Sequence, residues 1–330
     1  MTEALPHVLR VSGEPFRYIS EAETHALLTA DPGGYLAFVR GAMAAIAAGR
    51  AQVTIPPKQV FTDSASGGDF RVMPCELRWG TRVIKTVKVV GTNTVQRKVP
   101  DQITVGKLFI LDPEENFISA VLEGCLLSSA RTGACAAIAI TTLSRACKQL
   151  VIVGSGRVGF YAAFYAVNAL AVERVIFCDV VHERAQAAAQ WFSSKFNGVR
   201  FEALPITAIE SADVVVLATA SRSPIVSPPC WGANLIVSLG ADIDTQSELD
   251  PAWARFAEVY CDTLDSLRFG DLRAWTEAGQ VEPAAIMGLV DVLRNPPPES
   301  GRARVFVSTG SALFDNLTAG YLIESEPSRL

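Results

Sequence analysis

The chain has 330 residues, 49% of them hydrophobic and 19% charged, with a formal net charge of −5. That balance excludes a disordered chain and is enough for two domains, or for one large α/β domain with a satellite. The mildly acidic charge gives no pointer to nucleic acid or an anionic membrane surface, so the expected partner is a small molecule. Seven cysteines occur without a CxxC pair, which reads as reduced cysteines buried as small hydrophobes, with Cys75 the one candidate nucleophile among them. The three histidines, His7, His25 and His182, are not at metal-ligand spacing, so no metal is expected and acid–base chemistry falls to Lys, Asp or Glu. Residues 1–10 lack the basic end and apolar core of a secretory signal, and the apolar run around 133–143 is short for a bilayer, which makes the cytoplasm the expected compartment.

In chain order, residues 20–50 read as helical: Ser20 precedes Glu21, Ala22 and Glu23 as an N-cap, and 35–48 carries apolar residues at helical spacing. From 51 to 123 the texture is β. Residues 83–90 alternate apolar and charged side chains, and 107–112 and 117–123 form a hairpin around the turn signal Asp112-Pro113-Glu114-Glu115-Asn116. The chain turns helical from 124. A βα alternation follows, with strands at 150–153, 174–178, 213–219 and 235–239, and helices at 156–170 and 183–196. It ends in a strand at 304–310 and a helical stretch to about 323, with residues 295–301 read as a linker. Repeated βα units with apolar strands imply a parallel, doubly wound sheet.

Directly after the strand at 150–153, Gly154, Gly156 and Gly159 form G-x-G-x-x-G and open a helix. Gly154 permits the tight turn, Gly156 lets the backbone approach a pyrophosphate, and Gly159 lets helix and strand pack closely. The helix N-terminus offers free N–H groups to the phosphates. Asp179 ends the next strand, where a carboxylate hydrogen-bonds ribose hydroxyls and repels a 2′-phosphate, so NAD is favoured over NADP.

Residues 118–139, ending in Arg131-Thr132-Gly133-Ala134, resemble the signature helix of the ornithine cyclodeaminase/mu-crystallin family, whose element is RTAA-like. Val72-Met73-Pro74 resembles its short MP element, 239–250 its G-A-D-x-x-x-x-x-E-L element and 308–316 its closing S-x-G-x-x-x-x-D segment. The resemblance implies a Rossmann-type NAD domain (125–310) with a discontinuous α+β substrate and dimerisation domain (1–124 and 311–330), and a homodimer. It also implies a nicotinamide-dependent oxidoreductase acting at the α-carbon of an amino acid or N-carboxyalkyl amino acid. Residues 110–133 resemble most the branch that contains the dehydrogenase of N-(2-amino-2-carboxyethyl)-L-glutamate in 2,3-diaminopropionate biosynthesis. The alternatives are an ornithine cyclodeaminase and a non-catalytic, mu-crystallin-like ligand-binding protein.

The resemblance further implies that Lys58 and Arg131 bind the substrate carboxylate; most members have Arg at the first position, and Lys cannot form its bidentate fork. It implies Lys85 as the base and Asp242 as the residue that activates water or relays a proton. By strand parity Lys85 shares a face with Val83 and Val87 and Lys88 points the other way. An apolar face would lower the pKa of Lys85. Where ornithine-processing members carry an acid before MP, this chain has Arg71, which suits a distal carboxylate and repels a distal ammonium if it points inward. Arg157 and Val158 in the glycine loop, with Thr132, Thr219, Ser308 and Gly310 in the neighbouring segments, complete the candidate cofactor contacts.

Overall fold

The computed structural model describes residues 12–62, 68–92, 104–241 and 245–325. The first part runs β1 (Arg17–Ile19), α1 (Glu21–Ala30), α2 (Pro32–Ala47), β2 (Ala51–Thr54), β3 (Gln59–Thr62), β4 (Asp69–Trp79), β5 (Arg82–Thr92), β6 (Thr104–Leu111), β7 (Ile118–Glu123) and α3 (Gly124–Leu143). Ser20 and Glu23 form a reciprocal capping box at α1. The helical stretch expected over 20–50 divides at Asp31-Pro32, where Asp31 caps α2 and Pro32 takes its first turn. Strands β1-β7-β6-β5-β4-β2 form one sheet, with β3 also on β4; β1 is parallel to β7 and the other pairs are antiparallel.

The second part runs β8 (Gln149–Val153), α4 (Arg157–Ala169), β9 (Arg174–Cys178), α5 (His182–Lys195), β10 (Arg200–Ala203), β11 (Val214–Leu217), β12 (Arg222–Val226), β13 (Leu235–Ser238), β14 (Ser247–Leu249), α6 (Trp253–Phe256), β15 (Glu258–Cys261), α7 (Gly270–Glu277), β16 (Met287–Gly288), α8 (Leu289–Arg294), β17 (Arg304–Val307) and α9 (Ala312–Ser325). Eight parallel strands form a sheet of order β10-β9-β8-β11-β13-β17-β15-β16. Its central strands β11, β13 and β17 are buried along their whole length, as a doubly wound sheet requires. The chain leaves β8 toward β9 on one side and continues through β11 on the other, so the end of β8 is a topological switch point. Residues 295–301, read as a linker, instead carry the chain from α8 to β17 in the middle of this sheet.

Two elements join the layers. Helix α3 is apolar and long enough to cross a membrane, yet 78% of its apolar window is buried inside the protein; it packs on α4, α1 and α9 as a core helix. Gly133 makes that contact close, because a Cβ there would lie 2.5 Å from the carbonyl carbon of Tyr161 in α4. Helix α9 follows the second sheet but returns to the first, packing on α2, β4 and β5. Leu77, Ile84, Leu108, Ile110 and Leu122 from the first sheet meet Leu313, Leu317 and Leu322 of α9 in the largest core cluster. Each such side chain contributes about 1.5–3 kcal/mol on burial.

Candidate active site

A cavity of about 980 Å³ lies between the carboxyl edge of the parallel sheet and the inner face of β4 and β5. On its first side stand Gly154 and Gly156 after β8, Asp179 after β9, Thr219 after β11, Gly240 after β13 and Ser308 to Gly310 after β17. On its second side stand Lys58, Arg71, Met73, Lys88 and Val90, with Ser128, Arg131 and Thr132 of α3.

The glycine loop has the shape its three positions predict. Gly154 has φ +97°, and a Cβ there would lie 2.3 Å from the Ala218 carbonyl oxygen. Gly159 does not reach the cavity; its missing Cβ would lie 2.0 Å from the Gly154 carbonyl oxygen, so it seats α4 against the turn. Around Gly156 there is open space within 4 Å, which leaves the N-terminus of the 13-residue α4 accessible to an anion. Arg157 and Val158 line the same end, with Arg157 ion-paired to Glu21 at 3.1 Å. Asp179 is held by the N–H groups of Ser155 (2.8 Å) and Val181 (2.9 Å) at the mouth of this loop. These residues fit a dinucleotide with its pyrophosphate at α4 and a ribose at Asp179.

A buried carboxylate sets the next wall. Glu248, fully buried, accepts from Thr219 N–H (2.7 Å), Thr219 Oγ1 (2.8 Å), Ser238 Oγ (2.7 Å) and Gly240 N–H (2.8 Å). Burial pushes its carboxyl above the usual value against the pull of these donors. The N–H and the hydroxyl proton of Thr219 are therefore committed to Glu248. Asp262 acts likewise at β15, accepting from Ser308 Oγ (2.7 Å) and Ser266 Oγ (2.5 Å).

The reacting end is built by strand alternation. Arg71, Met73, Cys75 and Leu77 of β4 are buried, as are Ile84, Thr86, Lys88 and Val90 of β5; the register pairs Met73 with Lys88 and Arg71 with Val90. The parity expected for β5 holds, but the inner face is the opposite one. Lys85 points outward and donates to Pro113 O (2.8 Å) and Asn116 Oδ1 (2.6 Å) in the β6–β7 turn. It does not line the cavity, which corrects the expectation that it is the base. Both faces of β5 carry lysine among valines, so the sequence pattern alone did not select the buried face. Lys88 does line the cavity: it is 2% exposed, with Nζ 3.1 and 3.3 Å from the Asp315 carboxylate and hydrogen-bonded to Ser128 Oγ. Burial lowers its pKa to about 8, although the Asp315 carboxylate pulls it up. Asp315 also accepts from Arg131 Nε at 3.0 Å. Burial alone would raise its carboxyl; Lys88 and Arg131 outweigh that and hold it below the usual range.

Lys58, 5% exposed, donates to Thr309 O (3.1 Å) and lies 4.2 Å over the Phe269 ring. Arg71 faces the cavity and is bound side-on by Asp69, Nε to Oδ1 at 3.1 Å and Nη2 to Oδ2 at 3.0 Å. The Gly310 φ of +83° brings its Cα edge against the Arg131 guanidinium. Cys75 is buried and its thiol is pushed up to about 12, which removes it as a nucleophile at neutral pH. Asp242 lies outside the described residues. Asp315, Ser128 and Glu248 were missed as site residues, although Asp315 and Glu248 close two of the motif segments quoted for the resemblance.

The model of the ornithine cyclodeaminase/mu-crystallin family matches residues 19–325. The chain belongs to that family. A curated relative, the iminosuccinate reductase of Paracoccus denitrificans, is 29% identical over 227 residues, 66% of this chain and 69% of that protein. Among solved structures, the Thermococcus litoralis Δ1-pyrroline-2-carboxylate reductase with NADH and L-proline superposes with a TM-score of 0.83 at 22% identity, covering 94% of this chain and 97% of its own. An archaeal alanine dehydrogenase dimer with NAD gives 0.82 at 23% identity, covering 95% and 96%. At these identities the structural likeness is one of fold.

Proposed function

We propose that this family member is a nicotinamide-dependent oxidoreductase that interconverts an α-imino acid and the corresponding α-amino acid, with NAD rather than NADP. The observation that carries this reading is the buried Lys88–Asp315–Arg131 cluster facing the glycine loop across one cavity. The iminosuccinate reductase and pyrroline-2-carboxylate reductase named above support the reaction class. Gly154, Gly156 and Asp179 would hold a nicotinamide dinucleotide, which would supply the hydride to the α-carbon or take it in reverse. Arg131 and Lys58 bind the α-carboxylate and so orient that carbon. Lys88 gives its proton to the imine nitrogen as the hydride arrives, forming the amine, and takes it back in the oxidative direction. Asp315 keeps Lys88 charged in a buried setting and holds Arg131 beside it. The Asp179 carboxylate disfavours a 2′-phosphate. On the outer face of the first sheet, exposed Phe61, Phe70, Val89 and Val105 form an apolar strip where we place a second copy of the chain.

The test is NADH oxidation at 340 nm with 2-oxo acids plus ammonia. The expected result is turnover with at least tenfold preference for NADH over NADPH. Proline and ammonia released from ornithine without net NADH would overturn it in favour of a cyclodeaminase.

The pKa of Lys88 also fixes a pH signature. Reduction needs the protonated amine, so kcat/KM falls as pH rises through about 8; oxidation needs the free amine and rises through the same value. Asp315 raises that pKa, so Asp315→Asn moves both limbs to lower pH. Limbs that stay in place in that variant would remove Lys88 from the proton transfer.

A further inference from the structure

Granted the proposed function, we infer that the proton exchanged between Lys88 and the substrate passes through the Ser128 hydroxyl, which makes Ser128 the residue that touches the imine nitrogen. An ammonium has three N–H donors and no acceptor. Those of Lys88 meet three protein oxygens: Asp315 Oδ1 at 3.1 Å, Asp315 Oδ2 at 3.3 Å and Ser128 Oγ. Of these, only Ser128 opens a route outward. It lines the cavity and is partly exposed to it, whereas Lys88 is 2% exposed and Asp315 1%. With Lys88 donating, Ser128 Oγ is the acceptor and its own hydrogen rotates to another partner. The hydroxyls beside it on α3 are spent on carbonyls one turn back, Ser129 on Cys125 O (3.2 Å) and Thr132 on Ser128 O (2.7 Å). Ser128 makes no such bond among the described residues. Its place also suits the task. Ser128 precedes Arg131 by three residues, and side chains so spaced are neighbours on a helix surface, about 5–6 Å apart at Cβ. Arg131 binds the α-carboxylate in the proposed function, and the imine nitrogen is bonded to the same α-carbon. As that carbon takes the hydride, the C=N π pair becomes a new N–H bond with the Ser128 proton. Ser128 Oγ recovers a proton from Lys88 Nζ, and Lys88 is left neutral; the oxidative direction reverses each transfer.

Single-turnover oxidation of bound NADH by a 2-oxo acid plus ammonia tests this, run in mixtures of H₂O and D₂O. Two protons moving together give a rate that bows below a straight line as the deuterium fraction rises; one proton passed directly from Lys88 gives a straight line. The wild-type protein should show the bowed dependence. Ser128→Ala should lower the rate about 100-fold, the lower end of what one positioned proton donor contributes. NADH affinity, read by fluorescence, should stay within about twofold, since alanine suits a helix and leaves the glycine loop untouched. Ser128→Thr, which keeps the hydroxyl, should restore the rate to within about threefold and the bowed dependence with it. A straight line in the wild-type protein, a full rate in Ser128→Ala, or a threonine variant as slow as the alanine one overturns the relay while leaving the reaction class intact. If the wild-type protein oxidises NADH with no imino acid, the reaction class fails and the relay falls with it.

Discussion

Lys88→Met should lower kcat about 10²- to 10⁴-fold, the usual contribution of one positioned proton donor, while NADH affinity stays within about twofold. Methionine nearly preserves the volume, and Asp315 keeps its contact with Arg131 at 3.0 Å. The variant should therefore fold, since exchanging a buried ion for an apolar side chain of similar size is often close to neutral. Lys85→Met is the matched control. It removes two hydrogen bonds to the β6–β7 turn and should leave kcat/KM within about threefold. Stopped reduction in Lys85→Met together with full activity in Lys88→Met would mean that the other face of β5 meets the substrate. Cofactor binding, followed by NADH fluorescence, separates lost chemistry from lost structure.

Glu248→Ala should cost about 3–5 kcal/mol of stability, measured by urea unfolding, and should weaken cofactor binding at least tenfold. Four donors lose their acceptor at once, and each buried donor left unpaired costs about 1–3 kcal/mol before relaxation. Two of those donors, Thr219 N–H and Gly240 N–H, belong to loops that line the cavity. The fit is tight: a Cβ on Gly240 would lie 2.0 Å from the Thr219 carbonyl oxygen and 2.5 Å from Glu248 Oε1. Glu248→Gln tells volume from charge, because an amide must turn its NH₂ toward N–H or O–H donors. It should lose nearly as much stability as the alanine variant. Wild-type stability in the glutamine variant would show that these loops hold their shape without the carboxylate.

The nucleotide half was legible because its signals are local. A glycine turn, an acid at the next strand end and runs such as Val214–Leu217 each follow from neighbours in sequence. Apart from the strand at 235–239, the stretch 220–300 was not, because β12, β14, β15 and β16 are two to five residues long and carry no readable period. In the substrate half the strands could be found, but their inner face could not. Strand β5 is apolar on both sides, so only the partners brought by α3 and α9 decide which lysine is buried. Asp315 was invisible as a partner of Lys88 for the same reason: 227 residues separate them. Arg71 could be placed inward only after β4 had found its register with β5.

The route of α9 has a consequence for how the chain is made on the ribosome. The first sheet, complete in sequence by Glu123, must wait for Leu313, Leu317 and Leu322 before its largest apolar cluster closes. Until the last helix emerges, Ile84, Leu77 and the inner face of β4 and β5 lack their cover, and Lys88 lacks its counter-ion. Premature termination anywhere before α9 thus removes hydrophobic closure and the Lys88–Asp315 ion pair together.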